Sequence, residues 1–394
     1  MRKKMLAAVL AASAMFCSCR NNDNNDLKEV VYHIYSNGTY IDGGNVEFDF
    51  ISDDDNIDFY VPKGMANNSI SRSALTEDEL ELYDEILEAV GTFEEKIPLK
   101  TDAKEYSKIL ELIRIEQFAY TQVSRRWSDI NPETQLFDVF FEYRFDADEL
   151  SRMNMASENA AKKIMEGITD DMDDYEKLKY FHDYLVLNCE NSTNDPYADT
   201  VYGALVKKKA LCEGYAKAFS YLCNLADIEN VIVTGETYVN HMWNIVKLHG
   251  NWYHVDVTWD NPDDELHKDY PDIVLYQYFM VTDSVIKNNH IISDEPIEPP
   301  KANGINENYF IKEKLNIENE DEFFEVSERA IINAVKDGKQ GAMVKFETND
   351  MFVSVTTDLL NNSIYKVFDS TISKIREDYG VEIQLHWTDY YGRY

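Results

Sequence analysis

The sequence predicts an α+β protein in which one helix packs against an antiparallel sheet. Apolar residues recur at helical spacing in five segments, at 76–89, 102–116, 154–167, 174–187 and 212–225. Residues 240–248 and 251–259 have instead the composition of two strands, and His249-Gly250 between them is suited to a tight turn. A hairpin that follows a run of helices predicts the antiparallel sheet.

Length and charge limit the possible functions. With 394 residues, 44% of them hydrophobic, the chain can form two or three folded domains. The formal net charge of −35 repels nucleic-acid backbones and anionic lipid surfaces. We therefore expect no nucleic-acid partner and a well-solvated acidic surface.

The N-terminus has the composition of a secretory signal. Basic residues at 2–4 precede an apolar run at 5–16 that is too short to span a membrane. A small residue then precedes Cys19, and a polar tract follows at 21–26. This arrangement resembles the signal of bacterial lipoproteins, with Cys19 as the lipidated residue.

That resemblance implies an extracytoplasmic protein that contacts a bacterial membrane only through its lipid anchor. Residues 1–19 are then the signal peptide, and residues 20–27 form a polar tether. Phe16 stands three positions before Cys19, where such signals usually have an aliphatic residue. Cleavage at Cys17, or ordinary secretion without the lipid, therefore stays open as an alternative.

Composition divides the remaining chain into four parts. We predict a β-rich N-terminal segment at 28–72, a main domain at 73–292 with its core at 174–290, a Pro-rich linker at 293–306, and a small α+β domain at 307–394. In the last part, strand and helix patterns alternate. The catalytic chemistry is expected in the core of the main domain.

Cys212 occupies a favourable position for a nucleophile. Three cysteines remain after the signal, at 189, 212 and 223, an odd number that argues against a disulfide framework. Cys212 begins the predicted helix 212–225, and the N-terminus of a helix favours the thiolate. The same backbone N–H groups can stabilise an oxyanion.

The hairpin offers a base and a carboxylate. If His249-Gly250 is a two-residue turn, Trp243 pairs with Asp256 and His241 with Thr258. His241 and Asp256 then lie diagonally on one face, roughly 7–8 Å apart at the backbone and within side-chain reach. This geometry suits a Cys-His-Asp triad.

Spacing alone leaves alternatives open. His254 shares the face of Asp256 and is a second possible base. A single cysteine on an apolar helix face is commonly a small core residue. An acidic run at 260–269 lacks the ligand spacing of a calcium loop, and we expect it to be solvated.

Three sequence blocks carry a resemblance that favours one alternative. Residues 211–216, 241–246 and 252–259 resemble, in this order, the blocks around the Cys, His and Asp of the transglutaminase-like superfamily. Residues 175–185 and the segment 278–290 resemble parts of bacterial lipoproteins of this type. The resemblance implies a papain-like α+β core, in which the cysteine helix packs on the sheet that carries His and Asp.

By the same resemblance, Cys212 is the nucleophile, His241 the general base and acid, and Asp256 the orienting carboxylate, while His254 is structural. Tyr202 is a possible oxyanion ligand and Trp243 a possible wall of the substrate cleft, with core packing as the alternative for each.

The implied chemistry is acyl transfer. Phosphate-binding and His-Glu-x-x-His motifs are absent from the sequence, and we expect neither a cofactor nor a metal. The leading hypothesis is a peptidase or amide hydrolase whose substrate is a protein or a peptidoglycan peptide. The alternatives are a protein-crosslinking transamidase and a non-catalytic surface module that binds peptides.

Overall fold

The structure, a computed structural model, describes only part of the chain. The described residues are 28–36, 60–66, 74–99, 101, 103–133, 137–261, 273–336, 341–346, 364–379 and 383–391. The predicted signal peptide at 1–19, with its lipidation residue Cys19, and the tether at 20–27 lie outside these residues. Among the helices in the described ranges, none combines the length and apolarity that crossing a membrane requires.

Helices and a small sheet form the first half of the main domain. Its elements are α1 (Glu77–Gly91), β2 (Lys96–Leu99), α2 (Ala103–Glu116), β3 (Val123–Ile130), β4 (Phe137–Tyr143) and α3 (Ala147–Met165). A capping box opens α1, where the Thr76 hydroxyl accepts from the Glu79 N–H and the Glu79 carboxylate accepts from the Thr76 N–H. The three strands form an antiparallel sheet in the order β2-β4-β3.

Helix α3 begins seven residues earlier than the sequence predicts. Asp146 is its N-cap, and the Asp146 carboxylate accepts from the Glu149 N–H across 2.8 Å. The cap satisfies a backbone donor that would otherwise lack a partner at the helix start. The prediction of a helix at 154–167 therefore missed its first two turns.

The core of the main domain places one helix on a five-stranded antiparallel sheet. Its elements are α4 (Asp174–Asn188), β5 (Glu190–Asn191), β6 (Lys209–Ala210), α5 (Cys212–Leu225), β7 (Asn230–Glu236), β8 (Asn240–Leu248), β9 (Asn251–Val255), α6 (Val257–Asp260), β10 (Phe279–Val281), α7 (Asp283–Ile286) and β11 (Ile291–Ile292). The sheet order is β10-β9-β8-β7-β11. Asn244 on β8 donates to the Ala216 carbonyl on α5 across 3.0 Å, which joins helix and sheet.

The hairpin has the predicted turn. His249 and Gly250 have φ values of 51° and 82°, and two positive φ values are those of a type I′ turn. Leu248 pairs with Asn251 and Asn244 with Val255, so the predicted register is confirmed up to that point. The predicted pairing of His241 with Thr258 is wrong, because β9 ends at Val255 and the chain turns into α6.

The C-terminal part contributes three strands to a separate four-stranded sheet. Its elements are α8 (Tyr309–Lys312), β12 (Asn316–Ile317), α9 (Phe323–Lys336), β13 (Gly341–Phe346), α10 (Ile364–Tyr379) and β14 (Ile383–Tyr391). The sheet order is β12-β13-β1-β14, where β1 (Lys28–Ser36) pairs antiparallel with both of its neighbours. The predicted boundaries at 28–72 and 307–394 did not anticipate this, because strand pairing joins residues that are far apart in sequence.

Candidate active site

Cys212 is the first residue of α5. Leu211 precedes it in an extended conformation, and the Leu211 N–H donates to the Ala198 carbonyl across 2.8 Å. Gly214 packs against the same carbonyl so closely that a Cβ atom there would overlap it. The segment around Ala198 thus fixes the first turn of the helix and the position of the thiol.

The three cysteines of the described chain differ in accessibility. Cys212 is partly exposed, whereas Cys189 and Cys223 are buried. Burial raises the pKa of the Cys189 thiol to about 12 and also raises that of Cys223. Of these three, Cys212 is the one that a substrate can reach.

His241 lies between Cys212 and Asp256. The His241 Nε2 atom is 2.6 Å from Asp256 Oδ2, and because a carboxylate only accepts, the imidazole donates. The Cys212 sulfur lies close enough to His241 to raise the pKa of its ring. With Nε2 held by Asp256, Nδ1 is the nitrogen available to the thiol.

Charge interactions decide the protonation of His241. Burial by itself lowers the pKa of His241, but the nearby Asp256 carboxylate, its hydrogen bond to the ring and the nearby Cys212 sulfur raise that pKa to about 10. Asp256 is fully buried, which raises its pKa, yet attraction to His241 and hydrogen bonds to His241 and His290 hold it well below the usual range. The arrangement therefore stabilises an imidazolium next to a carboxylate.

The Asp256 carboxylate is oriented by the turn that follows it. Asp256 is the N-cap of α6, and its Oδ1 atom accepts from the Trp259 N–H across 3.1 Å. The Asp256 N–H donates to the Tyr278 carbonyl across 3.1 Å. With Oδ1 bound to the backbone, Oδ2 is directed at the imidazole of His241.

His290 is a second donor to this carboxylate. Its Nε2 atom is 3.0 Å from Asp256 Oδ2, and 2% of the residue is exposed. The residue was not among the predicted site residues, since it follows Asp256 by 34 positions. The one sequence signal for it was the resemblance of the segment 278–290 to related lipoproteins.

His241, Asp256 and His290 are also the group of described residues whose side chains could hold a metal ion. One nitrogen or oxygen of each lies within 4.8 Å of the others. The distances of 2.6 and 3.0 Å from the two imidazoles to Asp256 Oδ2 are those of ordinary hydrogen bonds. Two imidazoles that donate to one carboxylate account for this geometry without an ion.

His254, the second possible base, is engaged elsewhere. Its Nδ1 atom accepts from the Trp243 indole across 2.9 Å, and its Nε2 atom is 3.0 Å from Asp283 Oδ1. With 0% of the residue exposed, His254 cannot meet a substrate. It supports Trp243, which stacks on His241 with ring centroids 5.7 Å apart.

The two residues suggested for the substrate cleft have different positions. Trp243 is 1% exposed and packs behind His241, so the prediction that it lines the cleft is corrected to core packing. Tyr202 is half-buried and precedes a π-helical turn at Gly203–Lys207. Its ring packs edge-on against that of Tyr197, with ring centroids 5.2 Å apart. Its role as an oxyanion ligand stays a prediction.

Asp260 differs from the expected solvated acidic run. It is 0% exposed, and its Oδ2 atom is 3.1 Å from Nε2 of the equally buried His182. Burial raises the pKa of Asp260 to about 6, against the opposing hydrogen bond and attraction from His182. The remaining acidic residues of that run, at 263–265 and 269, lie outside the described part of the chain.

Residues 158–257 match the family model of the transglutaminase-like superfamily, and Cys212, His241 and Asp256 all lie within the match. In these residues the chain is similar to the transglutaminase-like superfamily. The predicted α+β class with a transglutaminase-like core is confirmed. The superfamily includes cysteine peptidases and transglutaminases, and the lipoprotein type of the chain stays a prediction.

Two curated relatives align with a shorter segment. The kyphoscoliosis peptidases of Mus musculus and Homo sapiens are each 35% identical to the chain over 65 residues, which is 13% of this chain. The aligned segment spans 10% of the length of those peptidases. The similarity is thus confined to a short segment of this chain and of each relative.

Solved structures show weaker similarity. A candidate cysteine protease from Cytophaga hutchinsonii has a TM-score of 0.24 and 13% identity, over 34% of this chain and 61% of that one. A TGase has a TM-score of 0.25 and 10% identity, over 41% and 50%. Menin has a TM-score of 0.26 and 12% identity, over 77% and 63%. Scores this low carry no functional argument.

Proposed function

We propose that the chain is an extracytoplasmic, cysteine-dependent acyl-transfer enzyme that hydrolyses amide bonds in proteins or cell-wall peptides. The observation that carries this proposal is the position of His241, which donates to the buried Asp256 carboxylate and lies near the accessible Cys212 thiol. The family of the core and the peptidase names of its two relatives agree with it.

The first half of the reaction forms a thioester. His241 takes the thiol proton, and the Cys212 sulfur attacks the carbonyl carbon of a substrate amide. The negative charge moves to the carbonyl oxygen, where backbone N–H groups of the first turn of α5 stabilise it. The C–N bond then breaks as His241 returns the proton to the leaving ammonia or amine.

The second half of the reaction hydrolyses the thioester and regenerates free Cys212. His241 accepts a proton from water as the water oxygen attacks the thioester carbon, and the thiolate leaves as the acid product forms. Asp256 keeps the imidazole oriented and stabilises its charged form throughout. If an amine attacks instead of water, the same steps produce a cross-link, which is the transamidase alternative.

The location of the enzyme rests on the N-terminal signal. A basic start, a short apolar run and Cys19 before a polar tract favour export and lipid attachment. Metabolic labelling with a palmitate analogue tests this part. Label on the wild type and none on Cys19→Ser is the expected result, and secretion of unlabelled wild type would contradict the anchor.

The activity is tested with substrates of both classes. We would incubate wild type and Cys212→Ala with peptidoglycan peptides and with a protein panel, and measure products by mass spectrometry. Hydrolysis appears as cleavage or deamidation, transamidation as a cross-link, and both must be absent from Cys212→Ala. Cross-links without cleavage would favour the transamidase.

Alkylation separates the enzyme from a peptide-binding module. The proposal predicts that iodoacetamide reacts faster with Cys212 than with the thiol of glutathione at neutral pH, because an imidazolium at His241 supports the thiolate. Cys189 and Cys223 serve as unreactive internal references because they are buried. A Cys212 that reacts no faster than glutathione, in a protein that still binds peptides, would favour the module.

A further inference from the structure

We propose that Asp260 and His182 are positioning residues that hold the Asp256 turn in the geometry that His241 requires. The inference rests on the proposed function, in which Asp256 orients His241. Neither residue was singled out for a role by the sequence blocks, and both are 0% exposed. Asp260 is joined to Asp256 by a backbone hydrogen bond across one short turn, and His182 is hydrogen-bonded to Asp260.

Asp260 closes the turn that Asp256 opens. The Asp260 N–H donates to the Asp256 carbonyl across 3.1 Å. The Asp260 carboxylate then uses both oxygens, because Oδ1 accepts from the Tyr278 N–H at 2.9 Å and Oδ2 faces His182 Nε2 at 3.1 Å. The end of the turn is thus bound to two other parts of the fold, the start of β10 and helix α4.

Tyr278 binds both ends of this turn. Its carbonyl accepts from the Asp256 N–H at 3.1 Å, while its own N–H donates to Asp260. The next residue, Phe279, pairs with Val255 at the end of β9. Any rotation of the turn that moves the Asp256 carboxylate must therefore break a hydrogen bond to a residue anchored in the sheet.

His182 is a rigid partner for Asp260. Its Nδ1 atom is 3.2 Å from Asp183 Oδ1, so both ring nitrogens have partners. Its ring also stacks on Tyr276, with centroids 5.4 Å apart, and Tyr276 donates to Asp183 across 2.8 Å. A ring held by both nitrogens and one face has little freedom to follow a displaced turn.

Small displacements of Asp256 matter because its bond to His241 is short and directional. A misplacement of about 1 Å in a catalytic group can reduce the rate about 10²-fold, and loss of an outer-shell partner typically costs about 10–100-fold. Asp260 and His182 are bonded to the turn and not to the reacting atoms in the described contacts. They act through Asp256 and are not catalytic residues.

The test compares two replacements of Asp260 in the full chain. Iodoacetamide alkylation of Cys212 is measured against pH by peptide mapping, which needs no knowledge of the substrate. We expect Asp260→Ala to slow alkylation at neutral pH about 10–100-fold and to move the profile to higher pH, the same direction that we expect for Asp256→Ala. The reason is that a displaced Asp256 supports the imidazolium less.

Asp260→Asn should restore most of the wild-type profile. The Asn oxygen can still accept from the Tyr278 N–H, and its amide can donate to Nε2 of His182 once that ring loses its Nε2 proton and keeps the Nδ1 proton for Asp183. A purely electrostatic role for Asp260 predicts the opposite, an Asn variant as impaired as the Ala variant. That result would overturn the positioning role.

Asp138→Ala is the matched control. Asp138 is also a buried carboxylate, and it is bound to Lys96 and Asn131. It lies in the sheet β2-β4-β3, which is separate from the sheet that carries His241. Its alkylation profile should equal that of wild type. If Asp138→Ala shifts the profile as much as Asp260→Ala, the effect is general destabilisation and the proposal is wrong.

Folding is followed by circular dichroism at the assay temperature. If Asp260→Ala is unfolded there, His182→Gln replaces it, and the same shift in a smaller amount is expected. If wild-type Cys212 is alkylated rapidly and both variants have the wild-type pH profile, the positioning role alone is overturned. A wild-type Cys212 that reacts only as fast as glutathione overturns the proposed function, and the positioning role with it.

Discussion

His241 donates to Asp256 across 2.6 Å, although the strand that leads to Asp256 ends one residue earlier, at Val255. The carboxylate is therefore presented by the cap of a helical turn and not by a strand. Its Oδ1 atom is held by the Trp259 N–H, and its Oδ2 atom accepts from both His241 and His290. Of the groups around His241, this side chain raises the pKa of the ring most.

Asp256→Asn should lower kcat about 10²–10⁴-fold. The amide oxygen can still accept from the Trp259 N–H, so the turn should persist, but the charge that supports the imidazolium is lost. The pKa of His241, about 10 in the wild type, should fall by an amount that an NMR titration of its ring protons detects. An unchanged His241 titration would show that Asp256 does not control the base.

His290→Ala should reduce kcat about tenfold, with a smaller effect on KM, because an outer hydrogen bond to the carboxylate is removed. His290→Gln can place an amide N–H near Asp256 Oδ2 and should recover part of the loss. Steady-state kinetics on the substrate found by mass spectrometry provides the measurement. Equal activity of wild type and His290→Ala would restrict His290 to core packing.

The stability conferred by the His241–Asp256 pair should depend on pH with a defined sign. The pKa of His241 is raised from 6.5 to about 10, so its contribution is complete below about pH 6.5 and is lost as the pH rises through about 10. The pKa of Asp256 is lowered from 3.8, so its contribution is present above about pH 4 and is lost on acidification.

Urea unfolding of wild type and His241→Gln at several pH values measures this contribution. The difference in the free energy of unfolding should be largest between about pH 4 and 6.5 and should shrink steadily toward pH 10. A difference that grows from pH 6.5 to 10 would contradict the direction of the His241 shift.

Gly214→Ala should displace the first turn of α5. The added Cβ atom would overlap the Ala198 carbonyl, and relief of such a backbone clash costs about 1–3 kcal/mol. Cys212 is two residues away, so activity should fall together with stability. Gly250→Ala is the control, since a Cβ there meets nothing within 4 Å and the cost is limited to its positive φ.

The Gly214 and Gly250 variants are compared by thermal unfolding and by Cys212 alkylation. Both should lose stability, but Gly250→Ala should retain the wild-type alkylation rate because the hairpin turn lies at the other end of β8. A normal alkylation rate in Gly214→Ala would show that the helix start tolerates the added methyl group.

Local patterns predicted much of the fold because they act over a few residues. The Thr76 and Glu79 capping box, the start of α5 at Cys212 and the His249-Gly250 turn all follow from residue types at fixed spacing. The hairpin register then brought His241 and Asp256 to one face. The predicted register was wrong at Thr258, because the alternating pattern does not indicate that α6 begins after Asp256.

Contacts between distant segments could not be predicted in this way. His290 reaches Asp256 across 34 positions, and His182 reaches Asp260 across 78. The placement of β1 between β13 and β14 likewise joins the beginning of the described chain to its end. Spacing along the sequence carries no information about such neighbours.

The sequence by itself determined which residues carry the proposed chemistry, because Cys212, His241 and Asp256 each lie in a recognisable local block. Only the tertiary structure decided how they are held. It left Cys212 accessible, assigned His254 and Trp243 to the core, and added His290 as a second donor to Asp256. The physical reason is that burial and hydrogen bonding depend on what surrounds a side chain in space.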